Sequence, residues 1–383
     1  MMTNPTTKAT LIATQSEWAS LLSQVSPASD KSSTTPILAS VLFYEKDSTL
    51  CATCTDLTLS LQATSTIACP TSLTWAVNER KLSQLLKLFE PDTAIKFTVD
   101  HGTSRLTVVA GKSRHVIQML SAEDFPLIAQ PDSAFGTPVV IPTEFWKTAL
   151  GYTQPFMAVG DTRTYLNNLR LQTTTNPPCI QITATDGRRL AYYSDPTLTP
   201  SQDCDILLPP KSITEINRLL TKTTTEFSLL LSPSQLCVKA NTTTLHSSLS
   251  SGKYPDIARI IPPLTPDTAI SISRPDLIHA LKRAAIMGDT KTIAVALDIS
   301  ATSLALKVSA DSTSTANEAN EELDITYSGT PLKVGYNIGY FLDALSLISS
   351  DTIELHHLHE TKPLRIVDPS NPLATLVIMP VRL

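Results

Sequence analysis

The sequence predicts an α+β protein of three similar domains, each with two helices packed on antiparallel sheets. One apolar helix face recurs three times: Leu82, Leu85, Leu86 and Phe89; Ile213, Ile216, Leu219 and Leu220; Ile338, Phe341, Leu342 and Leu345. These sets follow the 3.6-residue period of an amphipathic helix. Their first residues lie 131 and 125 residues apart, each near one third of the 383-residue chain. Each helix also sits among stretches that alternate apolar and polar residues, the period of a half-buried strand.

In chain order, SEWASLLSQV opens with a helix face of Trp18, Leu21, Leu22 and Val25. Leu57, Leu59 and Leu61 then alternate with Thr58, Ser60 and Gln62 as a strand. The first repeated helix follows, and after it Ile95, Phe97 and Val99 alternate as another strand. The proline-bearing AQPDSAFGTP (129–138) marks a joint. TEFWKTALGYT opens the second third as a helix. The Asp-Gly of ATDGRRLAYYS (184–194), between two β-like runs, is a turn signal. The second repeated helix precedes the strands of EFSLLLSPSQLCVKA. IPPLTPDT (261–268) marks the second joint. RPDLIHALKRAAIM then forms a helix on Leu277, Leu281, Ala284 and Ala285, and strands in TIELHHLHETKPLRIVD follow the third repeated helix. The expected domains are residues 1–132, 133–264 and 265–383. Units of this size do not fit a short-repeat solenoid.

Apolar residues make up 42% of the chain, enough to bury several cores, and charged residues only 17%. A net charge of −5 argues against a protein that coats DNA with a basic face, but leaves room for local basic patches. The six cysteines have no regular framework, so a disulfide-stapled secreted fold is not expected. The N-terminal segment lacks the charged and apolar regions of a signal peptide, and no apolar run is long enough to span a membrane. A soluble cytoplasmic protein with no membrane partner is expected.

Several motifs suggest chemistry and fall short of it. AGKSR (110–114) resembles a phosphate loop, but Leu106 occupies the position that needs glycine. Cys51 and Cys54 have no second pair at zinc-binding spacing and read as packed strand cysteines. His357 and His359 would share a strand face that could hold a metal; exposed strand and turn histidines are the plainer reading. Asp186 belongs first to its turn. No nucleophile–base set stands out, so no catalytic residue, cofactor or metal is expected. The basic residues are more informative. Arg80, Lys81 and Lys87, then Lys211 and Arg218, then Lys282 and Arg283, lie on recurring helices whose apolar stripes face the sheets. Aligned around a common centre, they would form a positive lining.

TPILASVLF (35–43), TDLTLSLQA (55–63), GKSRHVIQMLSAEDFP (111–126), ATDGRRLA (184–191), SGKYPDIARIIP (251–262), ITYSGTPLKVGYN (325–337) and VIMPVRL (377–383) occur in order along the chain. Together they resemble the bacterial DNA polymerase III β subunits, the sliding clamps, nearly end to end. ATDGRRLA and MPVRL are the most specific pieces. The resemblance implies three clamp domains per chain and a head-to-tail homodimeric ring, with helices inside and sheets outside. Such a ring encircles double-stranded DNA without reading sequence and is a processivity factor, not an enzyme. Its implied partners are the DNA polymerase III α subunit, the clamp loader, and other polymerases and repair proteins carrying short clamp-binding peptides.

The resemblance also implies site residues. A peptide groove would use Arg163, Leu166, Thr185, Gly187, Arg188, Arg189, Leu190, Pro255, Arg259, Ile260, Val377, Met379, Pro380, Val381 and Arg382. DNA would meet Arg80, Lys87, Tyr165, Lys211, Arg218 and Arg283. The dimer contact would join Lys112, Arg114, His115 and Ile117 to Ile286, Met287, Glu318, Glu321 and Glu322. This chain departs from the family at Arg188, often histidine there, at Val381, often methionine, and at His115, where a phenyl ring is common. An enzyme centred on Asp186 or the histidine strand, and a non-loading relative of the same fold, are the competing readings. The absence of convergent polar groups weighs against the first, and the basic helices and MPVRL tail against the second.

Overall fold

The sequence's helical faces become six α-helices among the residues that the computed structural model describes, which are 8–70, 72–126, 136–220, 224–288, 294–309, 318–356 and 359–382. They are α1 (Gln15–Val25), α2 (Glu79–Leu86), α3 (Thr143–Thr153), α4 (Pro210–Leu219), α5 (Arg274–Ile286) and α6 (Ile338–Leu347). Local chemistry fixes their starts. Thr14 and Glu17 form a reciprocal capping box before α1. Asn78, Ser273 and Asn337 accept the N–H groups of Lys81, Asp276 and Tyr340 at the starts of α2, α5 and α6. The helices bury the stripes that the sequence marks: Trp18, Leu21, Leu22 and Val25 in α1, Ile213, Ile216 and Leu219 in α4, Ile338, Phe341 and Leu345 in α6.

Two sequence expectations are corrected. Phe89 is not on α2, which ends at Leu86; Pro91 follows closely and lacks the N–H needed to extend a helix. Leu57 is not a strand residue. It lies in a turn at φ +75° and is 57% exposed, and the strand starts at Leu59.

Every strand pairing among the described residues is antiparallel. The chain forms two compact units, Met1–Thr143 with Lys211–Leu249, and Glu144–Pro210 with Ser250–Leu383. The first unit carries a twelve-stranded sheet, running from the edge strand Lys8–Thr14 to the edge strand Val139–Pro142. Within it, Leu59–Ala68 pairs with Thr243–Ser248, setting Leu61 opposite Leu245. The second unit carries an eight-stranded sheet, in which Arg189–Asp195 pairs with the C-terminal strand Ala374–Ile378, and a separate four-stranded sheet. The strands of the expected middle domain are thus shared between two large sheets rather than closed into small ones. Edge-to-edge pairing satisfies backbone groups that isolated small sheets would leave open.

The repeat shows in hydrogen bonds as well as helices. In the first unit, Thr55 Oγ1 donates to the Leu59 carbonyl and accepts from Leu57 N–H, while the Asp56 carboxylate accepts from the N–H groups of Thr58 and Leu59. In the second unit, Thr185 Oγ1 donates to the Arg189 carbonyl and accepts from Gly187 N–H, while Asp186 accepts from the N–H groups of Arg188 and Arg189. The same Thr-Asp turn is built twice, with Leu57 (φ +75°) and Gly187 (φ +87°) at matching left-handed positions.

Candidate partner-binding groove

The second Thr-Asp turn joins the strands Pro178–Thr185 and Arg189–Asp195. Glycine is required at 187. Its φ is left-handed, and a Cβ there would stand 3.0 Å from both terminal nitrogens of Arg163. Arg163 is itself fixed. It donates to both Asp161 oxygens at 3.0 and 2.8 Å and to the Asp186 carbonyl at 3.3 Å. This ion pair holds the Asp161 carboxyl down at about 2.

Beneath the turn lies a cluster of Leu190, Leu207, Tyr254, Ile257 and Val377, with Tyr165, Tyr192 and Ile261 packed against it. Leu190 and Val377 face each other across the strand pair, so the C-terminal strand completes the floor. The tail beyond that strand is pinned twice: Met379 N–H donates to the Arg188 carbonyl at 2.9 Å, and Val381 N–H to the Gly335 carbonyl at 2.8 Å. Beside the tail opens a cavity of about 360 Å³, lined by Arg188, Ala294, Asn337, Tyr340, Met379, Pro380, Val381 and Arg382.

The structure therefore brings Arg188, Met379, Pro380, Val381 and Arg382 to one cavity wall. Leu166, Leu190 and Val377 are almost fully buried and form the support beneath, rather than an open apolar wall. Thr185 is buried as part of the turn. Pro255 and Ile260 are half-buried, and Arg259 pairs with Asp256 at 3.0 Å. Sequence reasoning missed Tyr254 and Ile257 in the floor, and Asn337 and Tyr340 in the wall. The start of α6 carried a signal for the last two: an Asn cap places Tyr340 on the first helical turn.

Arg189 has a different place from the one expected. Its guanidinium lies between the rings of Phe156 (4.9 Å) and Tyr340 (4.8 Å). It donates to Asp186 at 3.0 Å, to Asp343, and to the Pro155 carbonyl at 3.2 Å. With only 13% of its side chain exposed, it braces the turn against α6 and the 154–156 segment instead of standing open to a ligand.

The expected DNA-facing cations are also less free than their positions suggest. Arg80 and Lys87 are exposed at α2. Lys211, however, pairs with Asp56, the carboxylate of the first Thr-Asp turn. Arg218 pairs with Glu215 at 2.6 Å and donates to the Gln24 carbonyl at 3.0 Å. Arg283 makes a two-point contact with Glu321 at 2.9 and 2.6 Å. Tyr165 packs against the groove floor.

At the expected dimer contact, Ser113–Leu120 pairs along one side with Arg105–Ala110. On its other side, among the described residues, only Met119 and Leu120 are paired, with Val77 and Ala76. Lys112, Arg114 and His115 are exposed along it, and Ile117 is half-buried. Glu318–Asp324 is an edge of the four-stranded sheet. Glu318 and Glu322 are exposed there, whereas Glu321 is already paired with Arg283. Ile286, at the end of α5, is 75% exposed, and Met287 is exposed beside it.

The other motifs have structural roles. Gly111 makes the two-residue hairpin turn between Ala110 and Ser113, at φ +57°. Cys51 and Cys54 are buried in the strand Thr49–Thr55, and burial pushes the Cys54 thiol well up. His357 lies outside the described residues. The neighbouring His356 is buried and contacts Glu354 at 2.9 Å and Thr265 N–H at 3.2 Å. Among the described residues no three His, Cys, Asp or Glu groups gather to hold a metal ion, and no helix is long and apolar enough to cross a membrane.

Models of three domains of the DNA polymerase III beta subunit match the chain: the N-terminal domain at residues 10–129, the central domain at 140–256 and the C-terminal domain at 258–382. The chain is 30% identical over 358 residues to the beta sliding clamp of Pseudomonas aeruginosa, covering 92% of this chain and 94% of that protein. It is 29% identical over 363 residues to the beta sliding clamp of Escherichia coli (strain K12), covering 94% and 96%. The crystal structure of the Pseudomonas aeruginosa DNA polymerase III subunit beta superposes with a TM-score of 0.87 at 28% identity, over 98% of this chain and all of that one (100%). A Pseudomonas aeruginosa sliding clamp bound to griselimycin superposes with a TM-score of 0.84 at 27% identity, over 98% and 99%.

Proposed function

The chain belongs to the family of bacterial DNA polymerase III β subunits, and from that premise we propose how its own residues perform a sliding clamp's work. The protein is a non-catalytic processivity factor. It encircles duplex DNA and tethers the replicative polymerase and other replication and repair proteins. Encirclement replaces tight contact: a closed ring stays on DNA topologically, so no base edge need be read. A tethered polymerase rebinds its template as an intramolecular event, at high effective concentration.

Partners dock at the groove above Leu190 and Val377. The observation that carries this reading is the doubly pinned C-terminal tail, which sets an open cavity of about 360 Å³ beside an apolar floor. A short peptide with Leu or Phe anchors fits such a site, and Met379 adapts to differing anchors. A small site with a few anchoring contacts suits exchange among partners.

The ring closes through two strand edges that are unpaired among the described residues. Residues 113–118 of one protomer add to Glu318–Asp324 of the other, a head-to-tail contact that two copies complete. Lys112 and Arg114 meet Glu318 and Glu322, and Ile117 meets Ile286 and Met287. The chain divides into clamp domains at 1–132, 133–264 and 265–383, and acts in the cytoplasm on DNA.

Two measurements test this reading. Negative-stain images should show closed rings with a central hole, and Ile286→Asp should turn dimers into monomers by light scattering. Labelled peptides with Leu and Phe anchors should bind at micromolar strength, and deleting residues 379–383 should abolish that binding. Native protein that is monomeric at micromolar concentration overturns the ring. Peptide binding that survives the deletion overturns the groove.

A further inference from the structure

The cations of the six helices are unevenly committed. Helices α1 and α6 carry no Lys or Arg. On α4, Lys211 is paired with Asp56 and Arg218 with Glu215. On α3 there is only the half-buried Lys147. On α5, Arg283 is paired with Glu321, and the Arg274 guanidinium donates to the Ser350 carbonyl at 2.7 Å. That leaves Arg80, Lys81 and Lys87 at α2 and Lys282 on α5, all exposed and none with a carboxylate partner among the described residues. Arg80, Gln84 and Lys87 share one exposed helix face, opposite the buried Leu82 and Leu86. These two helices are also the ones beside the open strand edges. Phe89, just past α2, sets its ring 6.3 Å from that of His115 on the strand Ser113–Leu120. Arg283 ties α5 to the edge strand Glu318–Asp324 through Glu321.

We propose that duplex DNA is gripped at the seams between protomers, by a composite site in which Arg80 and Lys87 of one protomer and Lys282 of the other hold its phosphates, so that duplex binding tightens the dimer. The proposal rests on the ring reading above and deepens it. Arg80 and Lys87 stand about 10 Å apart along the α2 axis. That reaches separate phosphates of a backbone carrying one charge per ~3.4 Å of each strand. A lone protomer presents only half of each seam. The complete set of cations exists only in the closed dimer, and a ligand that binds the dimer better than its parts must favour the dimer by the same factor. The paired cations of α4 lend no such grip, since freeing them means breaking Lys211 from Asp56 and Arg218 from Glu215.

The test dilutes full-length protein, labelled for energy transfer between protomers, with and without a saturating short blunt-ended duplex that can thread a closed ring. At low salt the duplex should tighten the dimer about tenfold, within the ordinary range of coupling between two sites. The ratio should shrink as salt rises. It should fall towards one in Arg80→Gln/Lys87→Gln and, from the other side of the seam, in Lys282→Gln, whatever the dimer constants without DNA. Lys46→Gln/Lys239→Gln removes two exposed charges from strands of the twelve-stranded sheet and should leave the ratio as it is. A dimer constant that the duplex does not move overturns the composite site and leaves the ring standing. A ratio that survives Arg80→Gln/Lys87→Gln/Lys282→Gln, or falls equally in the strand variant, also overturns it. Protein that stays monomeric at micromolar concentration with and without duplex fails the ring reading, and the composite site falls with it.

Discussion

Replacing Arg189 by alanine tests whether the groove wall depends on one side chain. The guanidinium makes charged hydrogen bonds to Asp186, Asp343 and the Pro155 carbonyl, and sits against two rings. Each charged hydrogen bond is worth about 1.5–3 kcal/mol and each cation–π contact about 0.5–2 kcal/mol, but they share one group and do not add. The Asp343 end is 55% exposed, so its share is screened towards the few tenths typical of surface pairs. A loss of about 3 kcal/mol from the second unit is the working figure. Trp146 is buried in that unit, while Trp18 and Trp75 lie in the other, so the part of the fluorescence change in a urea titration that a Trp146→Phe control removes reports the relevant transition. Hydrogen exchange in α6 and residues 154–156 should accelerate together. Arg189→Lys keeps the charge but not the planar fork, and should recover less than half of the loss. A double-mutant cycle with Asp343→Ala should give a coupling of about 0.2–0.5 kcal/mol. A loss below about 1 kcal/mol, with α6 exchange unchanged, would refute the bracing role.

His246 is buried with neither ring nitrogen hydrogen-bonded to a described residue, and burial, aided by Lys239, pushes its imidazole down from the ordinary value. The folded state keeps it neutral while the unfolded chain takes up a proton below about pH 6.5, so its stability contribution is full above that pH and is lost as pH falls. Unfolding free energies from pH 8 to pH 5 should fall less steeply in His246→Leu than in the native protein; parallel curves would contradict this. Leu57→Gly should raise stability by about 1 kcal/mol, because leucine is strained at φ +75° and its side chain is largely exposed. Gly187→Ala should destabilise by at least as much, and equal midpoints for the two variants would show that the turns are not equivalent. For short duplex DNA, Arg80→Ala should flatten the salt dependence by about 0.9 in log–log slope for each phosphate no longer neutralised, whereas Arg283→Ala should act on stability because its charge is spent on Glu321. Equal slope changes would reverse that assignment.

The helical faces were legible because a 3.6-residue stripe is a local property: Trp18, Leu21, Leu22 and Val25 need only a core to face. The Asp-Gly turn at 186–187 was legible for the same reason. What escaped was set at long range. Nothing local to Thr243–Ser248 says that it will pair with Leu59–Ala68, since register depends on two distant strands fitting together. Charge state was equally hidden. Arg218 and Arg283 read as free cations until folding sets Glu215 and Glu321 beside them. Arg189 read as a ligand group because its partner Asp343 is 154 residues away. In the groove, the tail residues were identified by resemblance to the clamp family, while Tyr254 and Ile257 were passed over because buried floor residues look like any other core.

The twin Thr-Asp turns show what duplication leaves free to change. In the first copy the spare carboxylate oxygen of Asp56 holds Lys211, and Leu57 tolerates a left-handed backbone. In the second, glycine lets the chain pass close to Arg163, and the aspartate turns inward to Arg189. One copy remained a fastener inside its unit. The other is held by Thr185, Asp186 and backbone groups, and takes only the N–H of residue 188, so the side chain there is not part of the turn. The side chain at 188 can therefore be replaced on the cavity wall while the turn beneath it stays the same.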